Sequence, residues 1–191
     1  MRIGVLGGSF DPPHLGHWLA AVDAADRLAL DGLVFVPAHE QPLKAGGGHA
    51  SAADRLAMTR LMAGDDSRFS VDSVEIDRGG LSFTVDTLRT LQARHPDASL
   101  DLIVGADVLA SFARWRDPAG VRAAARLVVL RRDVIGDGGA ELVGGPPHWL
   151  DNRRVELSST EVRARVHSGL TIRGFVPDAV ATYIATAGLY R

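Results

Sequence analysis

Short apolar segments bounded by turn residues alternate along the chain with longer segments in which apolar positions recur every three or four residues. The short segments predict β-strands at Arg2–Leu6, Leu33–Pro37, Phe69–Ile76, Leu100–Gly105 and Leu127–Leu130. The periodic segments predict helices at Leu15–Leu30, Ala52–Ala63, Val85–Arg94, Val108–Arg114 and Pro118–Ala125. This alternation is typical of a mainly parallel sheet covered by helices on both faces.

Two Gly- and Pro-rich segments interrupt the alternation and predict loops at Gln41–Ala50 and Val134–Pro147. Beyond the second loop, Arg154–Leu157 is expected to form a last short strand. Helices are then expected at Ser159–His167 and Pro177–Ala187. The end of the chain is therefore predicted to be mainly helical.

The order of these elements predicts an α/β fold, with a doubly wound, mainly parallel sheet of the Rossmann-like kind and a helical C-terminal part. A chain of 191 residues can bury one core without disulfides or metals. We therefore expect a single domain over residues 1–191, with the helical portion from about 158 to 191. Right-handed crossovers place the ligand crevice of such a sheet at the carboxyl ends of its strands.

Composition and charge narrow the functional classes. The chain has no cysteine, which excludes disulfides, thiolate metal sites and a cysteine nucleophile. Its formal net charge is -2 with acidic and basic residues interspersed, so no basic face for nucleic acid is indicated. No apolar run approaches the roughly 20 residues of a membrane span, and the start of the chain lacks the features of a signal peptide. We expect a cytoplasmic protein that binds small molecules and not membranes, and association between identical copies is left open.

The segment Gly7–His17 lies between the first predicted strand and the first predicted helix. Its glycines let the backbone approach an anion, and the following helix offers unpaired N–H groups and the positive end of its dipole. His14 and His17 add two donors three positions apart, close to the amides of Gly7 to Phe10. This turn is therefore predicted to hold a nucleotide phosphate.

Two histidine donors at one phosphate fit nucleotidyl transfer, in which a nucleophile attacks the α-phosphorus of ATP. Catalysis of this kind comes from positioning and from stabilisation of charge on the phosphate oxygens. An isolated histidine pair with this spacing more often packs in a core or binds a metal. The Gly-Gly turn before the pair, and Asp11-Pro12-Pro13 at the helix entry, favour the phosphate interpretation.

Two further segments carry side chains that suit phosphates. Lys44, the one lysine among 21 basic residues, follows the second strand, where an ammonium pairs with phosphate as a point charge. A solvated loop lysine is the alternative. Ser158 begins a capping box, and the hydroxyls of Ser159 and Thr160 with the guanidinium of Arg163 suit the phosphates of ATP. Capping and phosphate binding are compatible at this helix start.

Three other residues are candidates for holding the nucleosides. Asp107 follows a buried strand at the crevice, where a carboxylate accepts hydrogen bonds from ribose hydroxyls, although it also suits a helix N-cap. Trp115 offers a flat face on which an aromatic ring can stack, although its spacing from Phe112 also suits a core position. Arg132 lies just past the fifth strand and faces either the nucleotide or solvent.

The segment Gly7–His17 resembles the GGxFDPxHxGH signature of the nucleotidylyltransferase superfamily. Further landmarks, in order, are similar to those of bacterial nicotinate-nucleotide adenylyltransferases: Pro37, Pro42–Lys44, Ser82–Leu88, Gly105–Asp107, Phe112, Trp115, Leu157–Arg163, Val176-Pro177 and Tyr183-Ile184. The resemblance therefore covers nearly the whole chain. Within these landmarks the chain departs from the family pattern at Leu43 and Phe83, where a histidine and a tyrosine are common.

The resemblance implies transfer of the adenylyl group of ATP to nicotinate mononucleotide, with Mg²⁺ accompanying ATP and no dedicated protein metal site. It also implies that N–H groups around Thr84 receive the nicotinate carboxylate. The catalytic residues it implies are His14, His17, Lys44 and Arg163. Those implied to bind ATP are Gly7, Gly8, Ser9, Phe10, His14, His17, Gly105, Asp107, Arg132, Ser158, Ser159, Thr160 and Arg163. Those implied to bind the mononucleotide are Gly8, Ser9, Lys44, Phe83, Thr84, Asp107 and Trp115.

Four alternatives are open. Within the superfamily these are phosphopantetheine adenylyltransferase, which usually has Thr at the position of His14, and an adenylyltransferase that prefers the amide mononucleotide. A nucleotide-binding module without turnover has no need for the two histidine donors. A metal hydrolase built on His14, His17 and His39 lacks a carboxylate at a recognisable ligand spacing.

Overall fold

The structure, a computed structural model, describes residues 1–42, 49–131 and 145–191. Within these ranges, parallel strands form one sheet in the order β3-β2-β1-β4-β5-β6. The strands are β1 (Arg2–Gly8), β2 (Gly32–Pro37), β3 (Phe69–Val71), β4 (Ser99–Gly105), β5 (Arg126–Leu130) and β6 (His148–Leu150). The predicted α/β class with a parallel sheet is confirmed.

Helices connect the strands and form the C-terminal part. In the described ranges they are α1 (Leu15–Leu28), α2 (Ala52–Ala63), α3 (Val74–Arg78), α4 (Thr84–Arg94), α5 (Ala106–Phe112), α6 (Pro118–Ala124), α7 (Ser159–His167) and α8 (Asp178–Ala187). None of them is both long enough and apolar enough to cross a bilayer.

The sheet separates two apolar layers, because successive side chains of a strand point to opposite faces. On β1, Leu6 joins a buried cluster with apolar residues of α1, α2 and α8. Its neighbour Val5 joins a second cluster with residues of α4 and α6, and Phe112 of α5 is buried there too. Helices therefore cover both faces, which confirms the doubly wound arrangement.

The order of strands reverses at β1. From β1 the chain first builds outward through β2 and β3, and it then returns to the other side of β1 to build β4, β5 and β6. In sheets of this kind ligands bind at the carboxyl ends of the strands where the order reverses. Gly7 and Gly8 end β1 at this point, and Gly105 ends β4 beside them.

The third strand is shorter than the prediction. Phe69–Ile76 was expected to be extended throughout, but β3 ends at Val71 and Val74 begins α3. The Asp72 carboxylate accepts a hydrogen bond from the Val74 N–H at 2.8 Å, and the Ser73 hydroxyl donates to Asp77 at 2.7 Å. Such local side-chain bonds compete with strand pairing and turn the chain into a helix.

The last strand was also predicted at the wrong place. The strand is His148–Leu150, which pairs in parallel with Val128–Leu130 of β5, whereas the expected segment Arg154–Leu157 has no strand structure. The backbone N–H of Arg153 donates to the buried carboxylate of Asp23 on α1 at 2.7 Å. This bond draws the chain toward α1 and away from the sheet edge.

Several helix ends differ by one or two residues from the prediction. α1 ends at Leu28 because Ala29 adopts a left-handed conformation (φ 49°) and closes the helix with bonds to the carbonyls of Ala25 and Asp26. α5 begins at Ala106, two residues early, since extended Gly105 caps it directly from β4. Of the predicted loops, residues 43–48 and 132–144 lie outside the described ranges.

A buried carboxylate holds the amino ends of three central strands together. Asp101 on β4 accepts hydrogen bonds from Arg2 of β1 at 2.7 Å and from Arg126 of β5 at 2.7 and 2.9 Å. The carboxylate is 3% exposed, whereas the side chains of Arg2 and Arg126 are 32% and 41% exposed. Three adjacent strands are thereby tied at their amino ends.

We expect Asp101→Asn to lower the free energy of unfolding by about 2 kcal/mol. Breaking a fully buried ion pair costs about 3–5 kcal/mol, but both arginines here retain contact with water, which reduces the penalty. Urea denaturation of the two proteins measures the difference. Arg89→Gln, which breaks the exposed pair with Asp117, serves as control and should change the value by less than about 0.5 kcal/mol. Equal effects of the two substitutions would contradict a special role for Asp101.

Candidate active site

A cleft of about 840 Å³ opens at the carboxyl ends of β1 and β4, where the strand order reverses. Most of the described residues that the sequence assigned to a site line this cleft. They are Gly7, Gly8, Ser9, His14, His17, Phe83, Thr84, Gly105, Asp107, Trp115 and Ser158. The structure therefore brings together segments that are far apart in the sequence.

The turn between β1 and α1 is held in an unusual backbone conformation. Phe10 has a positive φ of 48°, which side-chain-bearing residues rarely adopt, and its ring is buried. The ring packs edge-on against His17 and Phe35, with centroids 5.0 and 6.0 Å apart. A Cβ on Gly8 would lie 3.3 Å from the Phe10 ring, so glycine lets the turn close over it. Phe10 thus supports the site from beneath.

His14 and His17 lie against one another at the start of α1. Their ring centroids are 3.8 Å apart, and His14 is buried whereas His17 is partly exposed. Gly16 makes room for the pair, because a Cβ there would lie 2.9 Å from Nδ1 of His14. The two rings therefore form one surface on the wall of the cleft.

The His17 ring has a defined hydrogen-bonding role. Its Nδ1 accepts a hydrogen bond from the backbone N–H of His14 at 3.2 Å, which caps α1. An accepting nitrogen carries no proton, so the proton of the neutral ring lies on Nε2. His17 is thereby prepared to donate from Nε2.

Helix α7 braces the turn from the other side. The Ser159 hydroxyl donates to the carbonyl of Pro12 at 2.8 Å, and Nη1 of Arg163 donates to the carbonyl of Asp11 at 2.7 Å. A second N–H of Arg163 bonds the Thr160 hydroxyl at 3.2 Å. The expected cap of α7 is present, since the Ser158 hydroxyl accepts from the N–H of Glu161 at 3.1 Å. These contacts give α7 a structural role that the sequence did not indicate.

The structure also reveals a buried polar network that sequence reasoning missed. Arg55 of α2 is 3% exposed and donates to the carbonyls of Ser9, Ala38, His39 and Ala50. Burial lowers the pKa of Arg55, and the Asp11 carboxylate opposes that shift. The guanidinium thus ties the β1–α1 turn to the end of β2 and to the start of α2. No sequence motif marked Arg55.

The start of α4 forms a second wall of the cleft. Phe83 is the N-cap residue, and its side chain makes no capping bond, so the first N–H groups of α4 are not taken up by it. Phe83 and Thr84 both line the cleft, and the Arg116 guanidinium stacks over the Phe83 ring at 4.7 Å. A helix start that its N-cap side chain does not bond can receive a carboxylate.

Glu75, a buried carboxylate that the sequence did not single out, lies behind α4. It accepts a hydrogen bond from the Thr87 hydroxyl at 2.6 Å, and both residues line the cleft. Burial raises the pKa of Glu75, while hydrogen bonds from Thr87 and Ser82 and the charge of Arg78 act against that rise. Ser82 in turn accepts from the N–H of His39 at 2.9 Å. Glu75 therefore links α3 to the start of α4 and the end of β2.

Asp107 and Trp115 lie on the third wall, near α5. Gly105 is the N-cap of α5 and Asp107 falls in its first turn, so the alternative of Asp107 as the N-cap is wrong. Asp107 is exposed and lines the cleft. Trp115 is half-buried against Phe112, with ring centroids 5.3 Å apart, and it also lines the cleft.

Among the described residues, five arginines line the cleft together with the four carboxylates of Glu75, Asp107, Glu156 and Glu161. Its arginines are Arg114, Arg116, Arg131, Arg153 and Arg154. Lys44 and Arg132, which the sequence also assigned to the site, lie outside the described ranges. In the part of the chain that is described, no group of three or more His, Asp or Glu side chains is arranged to hold a metal ion. The arginines and the two histidines are lining side chains that can donate to phosphate oxygens.

Solved structures share this fold. Nicotinic acid mononucleotide adenylyltransferase of Plasmodium falciparum, in its complex with NaAD, aligns with a TM-score of 0.81 over 99% of this chain and 97% of that chain. A second structure of the same enzyme, complexed with APC, aligns with a TM-score of 0.79 over 99% and 96%. Sequence identity is 17% in both cases, so this likeness establishes the fold alone.

Relatives at higher identity establish the family. The cytidylyltransferase-like family model matches residues 5–165. A protein of Gemmatimonas aurantiaca, described as "Probable nicotinate-nucleotide adenylyltransferase", is 51% identical over 100% of this chain and 93% of its own. One of Roseiflexus sp. with the same description is 43% identical over 99% and 98%. With this similarity along its whole length, the chain belongs to the nicotinate-nucleotide adenylyltransferase family of cytidylyltransferase-like proteins.

Proposed function

We propose that this protein transfers the adenylyl group of ATP to nicotinate mononucleotide, forming nicotinate adenine dinucleotide and pyrophosphate in NAD biosynthesis. The observation that carries the proposal is the His14–His17 pair, whose ring centroids lie 3.8 Å apart on the cleft wall beside the Gly7-Gly8 turn. The relatives described as nicotinate-nucleotide adenylyltransferases support it, as does the likeness to a structure complexed with NaAD.

In this reaction an oxygen of the mononucleotide phosphate attacks the α-phosphorus of ATP, and the bond to the β-phosphate oxygen breaks to release pyrophosphate. Negative charge is spread over the α-phosphate oxygens at the transition state. Nε2 of His17, with the neighbouring His14 ring and the turn N–H groups, would donate to those oxygens. No covalent intermediate on the protein is required, because both substrates are brought together in one cleft.

The remaining phosphate contacts are assigned to side chains around the turn. Ser158, Ser159, Thr160 and Arg163 at the start of α7 would bind the outer phosphates of ATP, and Lys44 and Arg132 would add charge from segments outside the described ranges. Mg²⁺ would arrive as the ATP complex, held mainly by phosphate oxygens and water, as it commonly is in such sites. The arginine-rich cleft supports the binding of this anionic substrate.

The nicotinate nucleotide would occupy the wall formed by α4 and α5. N–H groups around Thr84 would receive its carboxylate, and Trp115 would stack on its pyridine ring. Asp107 would accept hydrogen bonds from ribose hydroxyls. A donor site for a carboxylate disfavours a carboxamide, whose NH₂ group would meet another donor, so this assignment predicts a preference for the acid.

The substrate assignment is tested by pyrophosphate release from ATP and Mg²⁺ with three acceptors side by side. We expect rapid release with nicotinate mononucleotide, at least about tenfold slower release with nicotinamide mononucleotide, and none with phosphopantetheine. Faster release with the amide would contradict the assignment of the α4 start. No release with any acceptor would contradict the proposed reaction.

Substitutions at His17 separate its two roles. His17→Asn keeps an acceptor close to the position of Nδ1 but removes the Nε2 donor, whereas His17→Ala removes both. We expect both to lower kcat on the order of 100- to 1000-fold, as loss of a transition-state donor does. Only the Ala variant should also lose about 1 kcal/mol of stability, because only it loses the cap. Steady-state kinetics and thermal denaturation measure the two effects, and wild-type kcat in the Asn variant would exclude His17 as a donor.

Trp115→Leu tests ring stacking. We expect it to raise KM for nicotinate mononucleotide about three- to tenfold while KM for ATP changes less than about twofold, since the ring would meet only the pyridine. Trp115→Phe keeps an aromatic face and should restore most of the affinity. Equal increases of both KM values would indicate a general change of the cleft instead of lost stacking.

A further inference from the structure

The penultimate residue of the chain reaches the substrate-binding turn. Gly188 caps the end of α8. Beyond it, Tyr190 adopts a left-handed conformation (φ 65°), and its hydroxyl donates to Oδ1 of Asp11 at 2.7 Å. Asp11 is 4% exposed and lies three residues before His14. We propose that Tyr190 is a positioning residue, whose bond to Asp11 holds the His14–His17 turn in the geometry for adenylyl transfer. This inference rests on the proposed function.

The Asp11 carboxylate collects donors from separate parts of the chain. Oδ1 accepts from Tyr190 and from the N–H of Ala50 at 3.1 Å, and Oδ2 accepts from the N–H of His49 at 2.7 Å. The main-chain carbonyl of the same residue accepts from Arg163. A carboxylate with several fixed donors has little freedom to rotate, so it fixes the turn to which it belongs.

The phenol remains a donor at the pH values at which the protein would work. Burial and the hydrogen bond to Asp11 raise the pKa of Tyr190, so the hydroxyl keeps its proton. The positive charge of the buried Arg55 guanidinium acts against the rise in the pKa of Tyr190. The negative charge of Asp11 in turn acts against the fall in the pKa of Arg55 that burial causes. Arg55 also donates to Ser9 in the same turn at 2.9 Å. Asp11, Arg55 and Tyr190 therefore act on one short stretch of backbone.

The chain contains a matched comparison for this bond. Tyr183 of α8 donates to Oδ1 of Asp54 on α2 at 2.9 Å, and Asp54 bonds otherwise to Ser51. That bond also joins the C-terminal segment to α2, but neither Tyr183 nor Asp54 lines the cleft, and their bond does not involve Asp11. Removing each phenol hydroxyl separately distinguishes positioning of the turn from general attachment of the C-terminal segment.

The experiment compares Tyr190→Phe with Tyr183→Phe in the full-length protein. We expect Tyr190→Phe to lower kcat on the order of ten- to a hundredfold, because a small displacement of reacting groups has effects of that size. KM for both substrates should change less than about threefold. Tyr183→Phe should leave kcat within about twofold and lower Tm less than Tyr190→Phe does, because Asp54 is less buried than Asp11. Equal kcat values in the two variants would overturn the proposal.

A second measurement tests how firmly the turn is held and does not require catalysis. Hydrogen exchange at the His49 and Ala50 amides, which bond to Asp11, should be faster in Tyr190→Phe and unchanged in Tyr183→Phe. If the wild type fails to release pyrophosphate with any acceptor, the proposed function is wrong. The exchange comparison then still tests whether the Tyr190–Asp11 bond holds the turn. If the wild type is active and Tyr190→Phe matches it in kcat and exchange, only the positioning role is wrong.

Discussion

The site depends on how the backbone carbonyls around the β1–α1 turn are satisfied. A turn that offers its N–H groups to a phosphate leaves carbonyls directed into the protein, where each needs a donor. Arg55 supplies donors to four of these carbonyls at once, in the turn, at the end of β2 and before α2. Removing a guanidinium from water is costly, and these bonds together with the charge of Asp11 offset that cost. Apolar packing alone could not hold the turn in this way.

The same arrangement explains why glycine occupies positions 8 and 16 of the segment. Gly8 and Gly16 are the positions where a Cβ would press on the rings of Phe10 and His14. The strained backbone at Phe10 persists because its ring is enclosed by His17 and Phe35. Packing beneath the turn and hydrogen bonds around it thus fix the two histidine rings, and the proposed electrostatic catalysis would need donors that are held in this way.

The sequence predicted those features that local patterns encode. Alternating apolar segments located the strands of the sheet centre, and the Gly-Gly and histidine spacing located the turn. It misplaced β6 and the end of β3, where an Asp23–Arg153 bond and an Asp72 turn override local preference. It also missed the supports of the turn. Arg55 meets Ser9 across 46 positions and Tyr190 meets Asp11 across 179, and a single sequence carries no local signal for such contacts.

The need for several donors at one place also gives some of the arginines a structural role. Of 21 basic side chains, only Lys44 is a lysine. Several of the arginines make bonds that an ammonium could not make together: Arg55 spans four carbonyls, and Arg126 binds both oxygens of Asp101. A planar guanidinium directs several donors along fixed lines, so one side chain can join segments that approach from different directions. In this fold the planar cation is therefore a structural element that shapes the site, in addition to any charge it presents to phosphate.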